Sequence, residues 1–231
     1  MNNRPDHGEK LLLITIDGPA GAGKTTVSKI LAERLGYKYI DTGALYRGVA
    51  YEAQKAGIAS DDDAGLGKLC GALDFKFERE ENGLRLFSNG VDITGEIRTP
   101  DISMLASAVS ARPVVRECLF TIQKELGREK GAVFEGRDMG TVVFPGAEVK
   151  FYLDASAKTR AERRFKELAG KKSSPTVAEI ERDIKLRDTN DSSRTLAPLK
   201  PAEDAVIIDS TGLDIETVVN RMFSHVKKRF S

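Results

Sequence analysis

The chain has 231 residues, 36 Lys+Arg against 35 Asp+Glu, a formal net charge of +1, 40% hydrophobic residues and 31% charged residues. This composition excludes a wholly disordered chain and favours one globular domain with a sizeable core. The balanced charge gives no support to a binder of nucleic acid polymers, which would carry a basic excess.

Met1 to Lys10 is polar, holds Pro5 and Gly8, and reads as a loose tail without the apolar stretch of a signal peptide. Leu11 to Ile16 is an apolar run stopped by Asp17-Gly18-Pro19, the pattern of a buried strand. After a glycine-rich turn, Val27, Ile30, Leu31 and Leu35 recur at helical spacing, and Gly36 is placed as a C-cap glycine. Tyr37 to Ile40 predicts a second strand and Ala44 to Ala56 a second helix, closed by Gly57. This β-α-β-α beginning implies a parallel sheet covered by helices.

The pattern then changes. Phe75/Phe77, Leu84/Leu86 and Val91/Ile93 alternate with polar residues, separated by Asn82-Gly83 and Asn89-Gly90. Asn-Gly suits tight hairpin turns because both residues tolerate positive φ, so a three-stranded antiparallel meander is expected within an insert of about residues 66–103. Helical periodicity returns after Pro100 through Leu105, Val109, Val115, Leu119, Ile122 and Leu126, interrupted at Pro113. Ala132–Glu135 and Val149–Leu153 read as further parallel strands. Lys158–Leu168 is an arginine-rich helix, Gly170–Pro175 a polar turn, and Val177–Arg187 another charged helix. A last strand at Ala205–Asp209 and an amphipathic helix at Ile215–Val226 follow. No run reaches 18 apolar residues, so no membrane span or membrane partner is expected.

Cys70 and Cys118 form no CxxC and read as small core residues of a reducing, cytoplasmic environment. His7 and His225 read as surface residues. Chemistry here is therefore expected to rest on carboxylates, Arg, Lys and backbone amides.

Gly18-Pro19-Ala20-Gly21-Ala22-Gly23-Lys24-Thr25 fits G-x-x-x-x-G-K-[ST] between a predicted strand and a predicted helix, the context this phosphate loop requires. The glycines let successive backbone N–H groups point at one anion, and the helix N-terminus adds partial positive charge. Lys24 can reach the β- and γ-phosphates of a nucleoside triphosphate, and the Thr25 hydroxyl can ligate Mg²⁺. No N-K-x-D motif suggests a switch GTPase, and no long apolar run ending in Asp-Glu suggests a helicase-type ATPase. Arg47, Arg116 and Arg137 lie near predicted element ends, and Arg160, Arg163, Arg164, Arg187 and Arg194 cluster in the last third. Arg160 and Arg164 fit a solvated helix face equally well. A kinase for a phosphorylated acceptor needs cations on both substrates and no general base, because the attacking phosphate oxygen is already ionised. A kinase for another small acceptor and a nucleotide-dependent binding module are the alternatives.

Asp41-Thr-Gly-Ala-Leu-Tyr-Arg47, Gly95-Glu-Ile-Arg98, Gly136-Arg-Asp-Met-Gly-Thr-Val-Val-Phe-Pro145 and Asp209-Ser-Thr211 resemble the bacterial cytidylate (CMP/dCMP) kinases, over nearly the whole chain. The resemblance implies an α/β P-loop kinase core with a five-stranded parallel sheet, a three-stranded antiparallel insert at the monophosphate site, and an arginine-bearing lid at about 156–195. It implies phosphoryl transfer from MgATP to CMP or dCMP by a monomeric kinase, with no polymer or membrane partner. It places Gly18 to Thr26 and Arg163 on ATP, and Thr42 and Arg47 at the CMP phosphate. Ser107 falls at the sugar, Arg116 and Arg137 at the acceptor, and Asp138 on the cytosine. Arg187 and Arg194 are assigned to phosphates and Asp191 to the pentose. Lys24, Arg137 and Arg187 are the implied catalytic cations. Asn190 and Val114 stand where some relatives carry arginine, and some relatives carry Gly in place of Thr25 with their hydroxyl at the position of Thr26, which makes Thr26 the alternative ligand of Mg²⁺.

Overall fold

The computed structural model describes residues 11–80, 83–168 and 175–230. The expected N-terminal tail with His7, Asn82 of the first Asn-Gly pair, and positions 170–174 of the polar turn lie outside the described residues. The strands are β1 (Leu13–Asp17), β2 (Lys38–Asp41), β3 (Phe75–Glu80), β4 (Gly83–Ser88), β5 (Val91–Asp92), β6 (Ala132–Glu135), β7 (Val149–Asp154) and β8 (Val206–Asp209). The helices are α1 (Lys24–Leu35), α2 (Thr42–Lys55), α3 (Asp63–Ala72), α4 (Pro100–Val109), α5 (Pro113–Gly127), α6 (Ala157–Leu168), α7 (Val177–Ser192) and α8 (Ile215–Lys227). None of the described helices is long and apolar enough to cross a membrane.

Two compact units are present, one from Met1–Ile40 with Glu129–Ser231, the other from Asp41–Arg128. The first is built on a five-stranded sheet of order β2-β6-β1-β7-β8. β1 is central and pairs in parallel with β6 (Ile14 with Val133) and β7 (Ile14 with Val149), and β7 pairs in parallel with β8. Every residue of β1 is buried, as a strand covered on both faces must be. Ile14, Ile16, Phe151 and Leu153 form the core with Val27 and Leu31 of α1 and Val219 and Met222 of α8. Gly36 closes α1 at φ 68: its N–H donates to the Glu33 carbonyl and that of Tyr37 to Ala32, a Schellman ending. His225, expected at the surface, is half-buried with its ring edge-on to Phe151, centroids 5.7 Å apart.

In the second unit β3, β4 and β5 form the expected antiparallel meander, with Phe77 opposite Leu86. Asn89 and Gly90 turn at φ 48 and 79, both left-handed, as a type I′ hairpin turn requires. Gly48 lets α2 lie against β3: a Cβ there would come within 2.9 Å of the Phe75 ring. Pro113 opens α5 at its first turn, where its missing N–H costs nothing, instead of merely interrupting a helix. Cys70 and Cys118 are free thiols in this core, with the Cys118 Sγ 3.6 Å from the Cys70 carbonyl oxygen.

Two elements depart from the sequence reading. α3 had no periodic signal, because Gly65, Gly67 and Gly71 dilute it; the Asp62 carboxylate caps it by accepting from the Gly65 N–H. α7 begins at a Thr176/Glu179 capping box but runs five residues beyond Arg187, to Ser192. Its last turn, Asp-Thr-Asn-Asp-Ser, is intrinsically poor helix, and tertiary ion pairs at Asp188 and Asp191 hold it.

Candidate active site

The phosphate loop follows directly from β1. Gly18, Gly21 and Gly23 sit at φ 146, 76 and 91, backbone that side-chain-bearing residues rarely adopt. Gly18 also passes so close to β7 that a Cβ would stand 2.0 Å from the Leu153 carbonyl oxygen. α1 starts with no side chain capping its first amides, so the loop and helix end present donors suited to an anion. Lys24 is 4% exposed, and its Nζ donates to the Pro19 carbonyl at 2.7 Å, which folds the lysine over the loop. Burial, aided by Arg137, lowers its pKa to about 7, with Glu135 opposing. A bound polyphosphate would add further negative charge beside the Lys24 ammonium and favour its charged form.

Of the two candidate threonines, Thr25 donates its hydroxyl to Glu135 Oε1 at 2.8 Å, and the Tyr39 hydroxyl holds the other Glu135 oxygen at 2.7 Å. Glu135 ends β6, the neighbour of β1 in the sheet. Sequence reasoning missed it. The signal was present in Ala132-Val-Phe-Glu135, an apolar strand ending in an acid, but the run is only four residues long. A hydroxyl backed by a carboxylate is an oxygen donor set that fits a hard cation such as Mg²⁺.

Several arginines of the first unit lie beside the loop or around one carboxylate. Arg163 donates to the Ala22 carbonyl at 3.3 Å and the Ser210 carbonyl at 2.6 Å, beside the phosphate loop. Arg160 is not on a solvated face: it is 5% exposed and donates to the carbonyls of Ala20 and Ala155 and to both oxygens of Asp188. Arg164 is on the surface, paired with Glu167. Asp191, 2% exposed, accepts from Arg137 Nε at 3.0 Å and from Arg194, with Arg187 at 4.0 Å. Burial pushes its carboxyl up, but Arg137, Arg194 and Arg187 outweigh that and hold it below the usual carboxylate range. Asp138 is 3% exposed in the segment after β6. Its carbonyl accepts the N–H groups of Val142 and Val143, which opens a π-helical turn over Met139–Val143.

The remaining candidates belong to the second unit. Thr42 is buried at the start of α2. Arg47 donates to Asp41 Oδ2 at 2.8 Å, while Asp41 Oδ1 caps α2 at the Ala44 N–H. Ser107 is buried on α4. Arg116, on α5, donates to the Ser110 carbonyl at 3.4 Å and stacks over the Tyr46 ring at 5.8 Å, so it reaches α2. The structure thus groups Lys24, Thr25, Arg163, Arg137, Asp138, Arg187, Asp191 and Arg194 in the first unit, and Thr42, Arg47, Ser107 and Arg116 in the second.

Comparison with known proteins agrees with this chemistry. Residues 14–228 match the family described as cytidylate kinase. The cytidylate kinase of Geobacter sp. (strain M21) is 52% identical over 223 residues, covering 96% of each chain. That of Ligilactobacillus salivarius is 46% identical, over 95% of this chain and 98% of the relative. Among solved structures, an uncharacterized protein from Eubacterium ventriosum superposes with a TM-score of 0.51 at 11% identity, covering 94% and 98% of the two chains, a likeness of fold alone. A glycine phosphate loop with its threonine–carboxylate pair, an arginine cluster beside it and a match along almost the full length together make this chain a member of the cytidylate kinase family.

Proposed function

We propose that the chain transfers the γ-phosphoryl group of MgATP to CMP or dCMP, giving ADP and CDP or dCDP. Family membership supports the acceptor, and the observation that carries the chemistry is the placement of the Lys24 loop and the Asp191-centred arginines in one unit. A phosphate oxygen of the acceptor attacks the γ-phosphorus, and the bond to the ADP oxygen breaks. With a second phosphate pKa of about 6, the attacking group is largely ionised at neutral pH and needs no general base. The reaction then requires positioning and charge neutralisation, which lysine, guanidinium forks and backbone amides supply.

Gly18 to Thr26 and Arg163 hold ATP in this reading. Thr25, backed by Glu135, would hold the Mg²⁺ of MgATP, which would neutralise phosphate charge. Lys24, Arg137 and Arg187 balance the transferring phosphoryl. By likeness to the family, Thr42, Arg47 and Arg116 of the second unit are assigned to the acceptor phosphate and Ser107 to the sugar, and on the same ground Arg194 of the first unit is assigned to phosphate and Asp191 to the pentose. Asp138 accepts from the cytosine amino group, which uracil lacks. The test is an acceptor screen: ADP formation from MgATP with CMP, dCMP, UMP and AMP. CMP and dCMP should give the highest kcat/KM, and a preference for UMP or AMP would overturn the assignment.

A further inference from the structure

Asp17 belongs to no motif that sequence reading singled out except as the residue before the phosphate loop. It is 4% exposed at the end of β1. One carboxylate oxygen accepts from the Met139 N–H at 2.9 Å and the other from the Gly140 N–H at 2.7 Å. These two amides open the π-helical turn, and the turn has no side-chain cap of its own. A helix start leaves its first N–H groups without intrahelical partners. Asp17 supplies the missing acceptors from another strand, 122 positions away.

The segment it caps carries Arg137 and Asp138. Its other end is pinned too, because the Gly136 N–H donates to the Ile16 carbonyl at 3.1 Å. Residues 16 and 17 therefore hold both flanks of the Arg137–Asp138 pair, and the next residue begins the phosphate loop. The fit around the cap is tight: a Cβ on Gly140 would stand 2.9 Å from Thr15 Oγ1 and 3.3 Å from Asp17 Oδ2. We infer that Asp17 is a positioning residue for acceptor recognition, anchoring the Arg137–Asp138 turn to the strand that launches the phosphate loop. It touches no substrate in this role; it acts through the backbone amides of Met139 and Gly140.

This inference rests on the reading of Asp138 as the cytosine contact. The test is Asp17→Asn, which keeps the shape but sets an N–H₂ against one of the two amides. Loss of one of the two hydrogen bonds, with a buried N–H left facing an N–H₂, should raise the KM for CMP about tenfold. The KM for ATP should change much less, and the CMP-to-UMP ratio of kcat/KM should narrow. A purely structural role would lower the melting temperature without moving that ratio. A folded variant with an unchanged ratio, or with equal losses for both substrates, would overturn the proposal. Should Asp17→Asn fail to fold, Gly140→Ala pushes the turn away from an intact Asp17 and is judged by the same two readouts. Asp138→Ala, run in parallel, separates the two ideas. If it leaves the CMP preference intact, the Asp138 reading fails and takes this inference with it. If it collapses the preference while Asp17→Asn does not, only the role of Asp17 fails.

Discussion

Replacing Asp191 with asparagine keeps the outline of the side chain and removes the charge on which Arg137, Arg187 and Arg194 converge. The Asp191 and Arg194 side chains are 2% and 8% exposed, whereas Arg137 and Arg187 are 22% and 24% exposed. Water can compensate the last two in part, whereas Arg194 would lose the carboxylate it meets inside the protein. Removing one partner of a buried ion pair costs about 3–5 kcal/mol, so with partial rehydration the loss should be about 2–3 kcal/mol. For a chain of this size that corresponds to a fall in Tm of roughly 5–10 °C. The pH dependence has a definite sign. Because the three guanidinium groups leave the folded-state carboxyl below its ordinary value, folding favours the ionised form. The stabilisation is present above the unfolded-state pKa of about 4 and is lost as pH falls through the lower folded-state value. Urea unfolding of both proteins from pH 7 down to the acid limit of folding measures this directly. The gap between them should hold through neutral pH and close below about pH 4. A gap smaller than about 0.5 kcal/mol at pH 7, within the range of ordinary surface substitutions, would refute the claim that Asp191 anchors the arginines. So would a gap that persists undiminished in acid.

Lys24→Ala should lower kcat by about 10²–10³-fold, the effect of removing one preorganised electrostatic group, with an unchanged far-UV circular dichroism spectrum. Near wild-type turnover by the folded variant would remove Lys24 from the phosphate site. Glu135→Gln weakens the partner of the Thr25 hydroxyl and should raise the Mg²⁺ requirement, or lower activity, by about 10–100-fold. A Mg²⁺ titration that superposes on wild type would count against that role. Gly48→Ala should destabilise the protein by about 1–3 kcal/mol through overpacking against Phe75 and Leu86, and an unaltered urea midpoint would show that α2 and β3 can separate at no cost.

Much of the site was legible because it is local. The phosphate loop, the Gly36 helix ending and the Asn89-Gly90 turn each express, within a few neighbouring residues, a backbone conformation that glycine or asparagine permits. Alternating and helical apolar patterns likewise marked most strands and helices, since burial on one face repeats with the period of the element. The arginines were visible as a cluster, but not which of them were buried. Arg160 and Arg164 look alike in sequence, yet one reaches the Ala20 carbonyl and Asp188 while the other pairs at the surface with Glu167.

The sequence by itself determined the anion-binding loop, the parallel α/β framework and the chemistry open to a chain poor in histidine. Only the tertiary structure decided which carboxylates serve them. The strand order β6-β1-β7 sets Glu135 against Thr25 from 110 positions away, and Asp17 against the turn beyond Asp138. The charge of Asp191 stabilises a helix end that its own residues would not form. Such pairings depend on adjacency in a parallel sheet, which hydrogen bonding between distant strands creates and which no local spacing encodes.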